Sequence, residues 1–136
     1  MISVAYVDKD SYFVKLHLAG PAGLNTFTGY GPGYVKVNAD RREKSLVVLP
    51  DQLLLDWPPA SFEELAASHL QELLALRPEI VLLGTGEKQR FPRPEVTRPL
   101  VEAGIGVEVM TTQAACRTYN ILVAEERRVA AALLLG

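Results

Sequence analysis

Residues 12–18 alternate along the chain: Tyr12, Val14, Leu16 and Leu18 fall on one side, Phe13, Lys15 and His17 on the other. A period of two predicts a half-buried strand. Two short strand-like runs follow between 27 and 37, separated by Gly31, Pro32 and Gly33, and that turn signal predicts a hairpin. A β-rich run at 45–49 ends at Pro50, and a further short run at 53–57 ends at Pro58 and Pro59. The first sixty residues therefore read as a β-rich, antiparallel half.

The period then changes. Ser61 and Glu64 have the spacing of a capping box, with Ser61 as N-cap. Phe62, Leu65, Ala66, Leu70, Leu73 and Leu74 share one helical face. Arg77 sets a cation at the helix end and Pro78 stops it. His69 lies on or near the apolar face and reads as a structural histidine. Residues 79–83 are a short apolar run between turn signals, the pattern of a buried parallel strand. A helix follows from about Pro94 or Thr97 to Ala103, closed by Gly104. Pro99 argues for the later start, with Thr97 as N-cap, because proline is tolerated only in a first turn. Residues 105–110 read as the next strand, and Thr111 and Thr112 offer an N-cap for a helix through about 123. The run 127–135 stays open, since its alanines favour helix while a final buried strand is equally short and apolar.

At 136 residues the chain suits one domain, 1–136, with a sizeable core. A net charge of −2 gives no case for nucleic acid, which needs a basic surface. Charge is uneven, however. Five acids and no base lie between 51 and 76; Lys88, Arg90, Arg93 and Arg98 then stand against Glu95 alone. These are either two solvated faces or a local basic rim. Cys116 is the one cysteine, so no disulfide closes within the chain. Residues 1–10 lack the pattern of a signal peptide, and no apolar run approaches the length of about 20 residues that spans a bilayer. The expected location is cytoplasmic.

Candidate chemistry centres on Gly84, Thr85 and Gly86, where the strand at 79–83 ends. Five residues after Gly84 comes Gln89, so neither a Walker loop nor a dinucleotide fingerprint is complete. The order strand, helix, strand makes a right-handed βαβ unit. If its strands are parallel neighbours, the loops at 84–86 and 110–112 emerge at one sheet edge, where ligands bind in open α/β sheets. Thr111 and Thr112 begin a helix there, a position that favours anions, and Arg90, Arg93 and Arg117 are within reach. The competing reading is a capped turn with solvated arginines. Cys116 has no histidine with a sequence reason to activate it and reads as a buried structural cysteine. One cysteine and two distant histidines, His17 and His69, give no metal-ligand spacing. Neither a metal nor a cofactor is expected.

Residues 84–94, 104–112 and 114–122 together resemble the Mth938-like domain family, and residues 125–133 look like its closing segment. The resemblance covers about 20–135. It implies a compact three-layer α/β domain with a central mixed sheet, flanking helices and an antiparallel last strand at 129–135. That strand would follow a turn at 124–127, where Glu126 replaces the family's usual glycine. The family includes the mitochondrial complex I assembly factor 3, a non-enzymatic protein that works by binding partners. The resemblance thus implies an assembly or interaction protein, linked by analogy to respiratory complex biogenesis, rather than an enzyme. Candidate contact residues are Arg90, Phe91, Arg93, Arg117 and Tyr119, since arginine and tyrosine anchor many interfaces. The alternative is a small anion- or ligand-binding protein or enzyme with its site at the strand ends, at 84–86 and 110–112. A third reading makes Arg117, Thr118, Tyr119 and Asn120 structural, tying loops through hydrogen bonds.

Overall fold

Hairpin turns decide which strands of the first half pair. In the computed structural model, which describes residues 4–7, 14–17 and 23–135, β1 (Val4–Val7), β2 (Val14–His17), β3 (Phe27–Gly31), β4 (Tyr34–Val37) and β5 (Asp40–Arg42) form an antiparallel meander. The expected strand at 12–18 is β2; its residues 12, 13 and 18 lie outside the described residues. The turn between β3 and β4 carries Gly33 at φ +74°, a conformation that glycine adopts without strain.

β6 (Leu46–Leu49) and β7 (Gln52–Leu54) leave this meander for a second sheet. The antiparallel first half is therefore divided between two sheets. The second sheet also takes β8 (Ile80–Gly84), β9 (Gly106–Met110) and β10 (Val129–Leu133), in the order β7-β6-β10-β8-β9. β8 and β9 are parallel neighbours, joined by α2 (Pro94–Glu102) as a crossover. The C-terminal run becomes the central strand. β10 is antiparallel to β6 and parallel to β8, so the sheet changes sense there. All five β10 residues are buried, which explains an apolar run without alternation.

Helices cover both faces of the mixed sheet and complete three layers. On one face Leu82, Ala131 and Leu133 pack with α3 (Thr112–Ala124), which also touches β3 of the first sheet. On the other, Val81, Leu83 and Ala132 pack with Leu70, Leu73 and Leu100 from α1 (Ala67–Gln71), the turn after it, and α2.

The region read as one helix from 61 is broken. A 3₁₀ turn at Phe62–Glu64 and α1 are separated by Leu65 and Ala66, both extended, and a second 3₁₀ turn follows at Glu72–Leu76. Ser61 makes no side-chain cap, so the capping box does not form. Tertiary partners replace it. The His69 Nδ1 accepts from the Ala66 N–H at 3.0 Å, and the His69 carbonyl accepts from the buried Trp57 indole at 3.1 Å. Trp57 lies beyond the short strand expected at 53–57, which ends at Leu54. α2 starts early, with Arg93 as N-cap and Pro94 in its first position, not at Thr97. Pro99 is accommodated inside this two-and-a-half-turn helix. Arg77, the cation expected to favour the helix end, instead supplies a left-handed cap at φ +53°.

Candidate functional site

Parallel pairing of β8 and β9 brings the two predicted loops together. The Thr85 N–H donates to the Met110 carbonyl at 2.9 Å, and the Thr112 N–H donates to the Gly86 carbonyl at 2.9 Å. The Gly86 N–H donates to the Thr112 hydroxyl at 3.0 Å, and that hydroxyl lies 3.3 Å from the Leu134 carbonyl it donates to. Thr85 Oγ1 donates to the Lys88 carbonyl at 2.6 Å and accepts from the Arg90 N–H at 3.1 Å. The two glycines have different causes. Gly86 sits at φ +95°. At Gly84, a Cβ would lie 2.7 Å from Leu133 Cδ2 and 3.1 Å from Thr112 Cα, so the residue leaves room for the strand–helix contact.

These bonds limit what the helix end can offer an anion. Thr111 caps α3 by accepting from the Ala114 N–H at 3.2 Å, and the Thr112 N–H is held by Gly86. A cavity of about 420 Å³ nevertheless opens beside the loop, between Thr85, Gly86, Lys88, Gln113 and the β3–β4 turn. Its size is that of a small-ligand pocket.

Of the three arginines expected there, Arg90 lines this cavity, while Arg93 and Arg117 lie elsewhere. Arg90 donates to Glu63 at 2.6 Å and stacks 4.2 Å over the Phe62 ring. That bond holds the Glu63 carboxyl below its ordinary range. The acidic and basic stretches of the sequence thus meet in the fold. Arg93 lines a different groove, of about 730 Å³, with Phe62, Leu65, Phe91, Pro92 and Val96. Phe91 is 74% exposed at that groove. Arg117 is exposed and donates to the Tyr30 hydroxyl at 2.6 Å, on the side of α3 that faces the first sheet.

Tyr119 is corrected from a surface contact to a core residue. Its side chain is fully buried, meets Phe27 edge to face at 5.0 Å, and donates to the Asn25 carbonyl at 2.9 Å. Burial pushes its phenol up, with Asp51 adding to the shift. Asn120 accepts from the Phe27 N–H at 2.9 Å and donates to the Phe27 carbonyl at 2.8 Å. Of residues 117–120, Arg117 thus bonds Tyr30, Tyr119 bonds Asn25 and Asn120 bonds Phe27. Cys116 is fully buried, and desolvation raises its thiol far above the ordinary range, as suits a structural cysteine. Sequence reasoning missed Asn25, whose amide donates to the Leu49 and Gln52 carbonyls at 2.9 and 3.2 Å. It also missed Gln89, whose amide donates to the Val109 carbonyl at 2.9 Å. Neither carries a local signal, because each acts on a distant backbone.

Comparison with solved structures defines the class. A crystal structure of a Bordetella parapertussis protein superposes with a TM-score of 0.79 at 47% identity, covering 85% of this chain and all of that one. A solution structure of a Bordetella pertussis protein described as an Mth938-like domain gives a TM-score of 0.74 at 39% identity, covering 89% of this chain and 92% of that one. A mixed sheet with helices on both faces and a central C-terminal strand is thus an Mth938-like domain. The chain belongs to the DUF498/DUF598 family, proteins of unknown function, whose model matches residues 27–134. Among its relatives, a Francisella tularensis protein named 13 kDa major membrane protein is 43% identical over 53% of this chain and 58% of its own length. The NADH dehydrogenase (ubiquinone) 1 alpha subcomplex assembly factor 3 of Xenopus tropicalis is 33% identical over 72% of this chain and 54% of its own length. The chain therefore spans little more than half of these relatives. Among the described residues no helix is long and apolar enough to cross a membrane.

Proposed function

We propose that this chain is a non-enzymatic, cytoplasmic, single-domain protein that binds a protein partner, in the manner of an assembly factor. The observation that carries the reading is Phe91. It projects at 74% exposure beside an apolar groove whose rim holds the exposed Arg93. An aromatic and an arginine around an apolar recess are the usual anchors of an interface. Relatives named as assembly factors of NADH dehydrogenase support it and suggest a subunit of a respiratory complex as the partner. The test is affinity capture from native cells with mass spectrometry, comparing the wild type with Phe91→Ala/Arg93→Glu. Neither side chain makes a hydrogen bond or ion pair among the described residues, so the fold should persist. Arg90 is a poorer choice because it anchors Glu63. A reproducible partner lost in the variant is expected; a partner held equally by both forms removes this surface from the reading.

The 420 Å³ cavity favours a second reading, a small-anion or ligand site beside Thr85, Gly86 and Thr112. A saturable rise in melting temperature with inorganic phosphate, lost on Lys88→Glu, would support it.

A further inference from the structure

Among the described residues the outer edge of β9 leaves backbone groups unpaired, and its bonds to β8 fix which ones. The Gly106 N–H donates to the Glu79 carbonyl and the Met110 carbonyl accepts from the Thr85 N–H. Gly106, Glu108 and Met110 therefore aim their backbone groups at β8. Successive residues of a strand alternate, so Val107 and Val109 aim theirs outward. Among the described residues, the Val109 carbonyl alone on that edge has a partner, the Gln89 amide. β9 runs five residues with no proline and no register shift, and Glu108 is the one charged side chain on it. β7, at the opposite edge, and the charged β5 have three residues each.

The side chains specify what such an edge would receive. Val48, Ala131, Leu82 and Glu108 stand in one cross-strand row, and the first three are fully buried. Glu108 ends the row exposed, with no ion-pair partner among the described residues. A strand added beside β9 sets its own side chain next in that row, where a cation is favoured and a carboxylate disfavoured. Val107 and Val109, on the opposite face, continue rows from buried Val81 and Leu83, so the flanking positions of the added strand are apolar. A second copy fits badly: pairing β9 with itself about a two-fold, Val107 opposite Val109, sets Glu108 against Glu108.

We propose that β9 accepts an extended segment of a different protein as a sixth strand, read as apolar, basic, apolar at successive positions, with Gln89 as a latch that yields the Val109 carbonyl to the incoming N–H. The inference rests on the protein-binding reading for the nature of its occupant, but it uses the β9 edge and not the Phe91 groove.

The full chain, labelled with ¹⁵N, is titrated with the capped peptide Thr-Val-Lys-Val-Thr and with its counterpart carrying Glu at the centre. The lysine peptide should shift the Val107 and Val109 amides saturably and slow their hydrogen exchange. It should bind about fivefold more tightly than the glutamate peptide, and Glu108→Lys should reverse that preference. Gln89→Ala should tighten both. Val109→Pro removes an N–H that faces away from β8, so the fold is expected to survive while affinity falls about tenfold. Equal binding of the two peptides, no saturable shift at Val107 and Val109, or binding that survives Val109→Pro overturns the proposal. Should the proline variant fail to fold, the charge reversal and the exchange rates still decide. Failure here leaves the Phe91/Arg93 capture result standing, and loss of that result leaves peptide binding at β9 standing.

Discussion

Asn120 joins two parts of the chain that local sequence does not connect. Its amide satisfies both backbone groups of Phe27, across 93 residues, at a site closed to water. Replacing it by alanine leaves a buried N–H and a buried carbonyl without partners. Asn120→Ala should therefore lower stability by about 3 kcal/mol, read by urea denaturation. Cys116 lies one turn earlier on α3 and is buried in the same cluster. Since burial raises its thiol, the neutral form persists well into the alkaline range, and no thiolate is available to react. A thiol reagent should label Cys116 in the unfolded chain and leave the native chain unlabelled at mildly alkaline pH. Gly84 shows a packing constraint of another kind. Gly84→Ala puts a methyl group against Leu133 and the α3 backbone, and should cost about 1–3 kcal/mol in thermal or urea unfolding.

At the scale of elements, caps and turns explain where segments stop. α3 begins where Thr111 and Thr112 predict, because a threonine hydroxyl meets a free helix N–H without outside help. The region around α1 departs from its pattern because outside help is present, from Trp57 and from the His69 ring. Its periodic leucines are still buried in part, but the backbone between them is not continuous helix. The turn into β10 holds Glu126 at φ +63°, a left-handed conformation that strains a residue with a Cβ. Glu126→Gly should relieve that strain and raise stability by about 0.5–1 kcal/mol after the added entropy of glycine in the unfolded chain. A rise in melting temperature checks it; a fall would mean that the Glu126 side chain contributes more than its backbone strain removes.

At the scale of the whole molecule, the two arginines after that turn fasten β10 to three other segments. Arg128 donates to Asp51 at 2.9 Å and twice to the Leu76 carbonyl, at 3.2 and 2.8 Å, while Arg127 reaches Glu79 at 3.3 Å. The Arg128 side chain lowers the Asp51 carboxyl; the Arg128 N–H, then Arg127, lower that of Glu79. A folded carboxyl held below its unfolded value adds stability at higher pH and loses it as pH falls through the folded value. The unfolded values are 3.8 and 4.5, so the loss belongs to the acid range below about pH 4.5. The melting temperatures of the wild type and of Arg127→Ala/Arg128→Ala should differ most near neutrality and converge in acid. A residual gap should remain from the bonds to Leu76, which do not titrate. Exposure of these pairs keeps the effect small.

Period and punctuation in the sequence by themselves determined the β3–β4 hairpin, the buried strand at β8, the crossover to β9 and the start of α3, because each depends on residues within a few positions of one another. They also placed Thr85, Gly86 and Thr112 at one sheet edge, since a right-handed βαβ unit leaves little choice. Tertiary structure alone decided the rest. The alanine-rich end carries no period that separates strand from helix; the family resemblance implied a strand there, and it is one because β6 and β8 flank it and supply both ladders. Arg90 stays at the cavity wall, but its guanidinium is drawn to Glu63 and Phe62, distant in sequence and near in space. Tyr119 entered the core because β3 packs across α3 at its position. These choices depend on contacts between segments tens of residues apart, for which a single local window holds no signal.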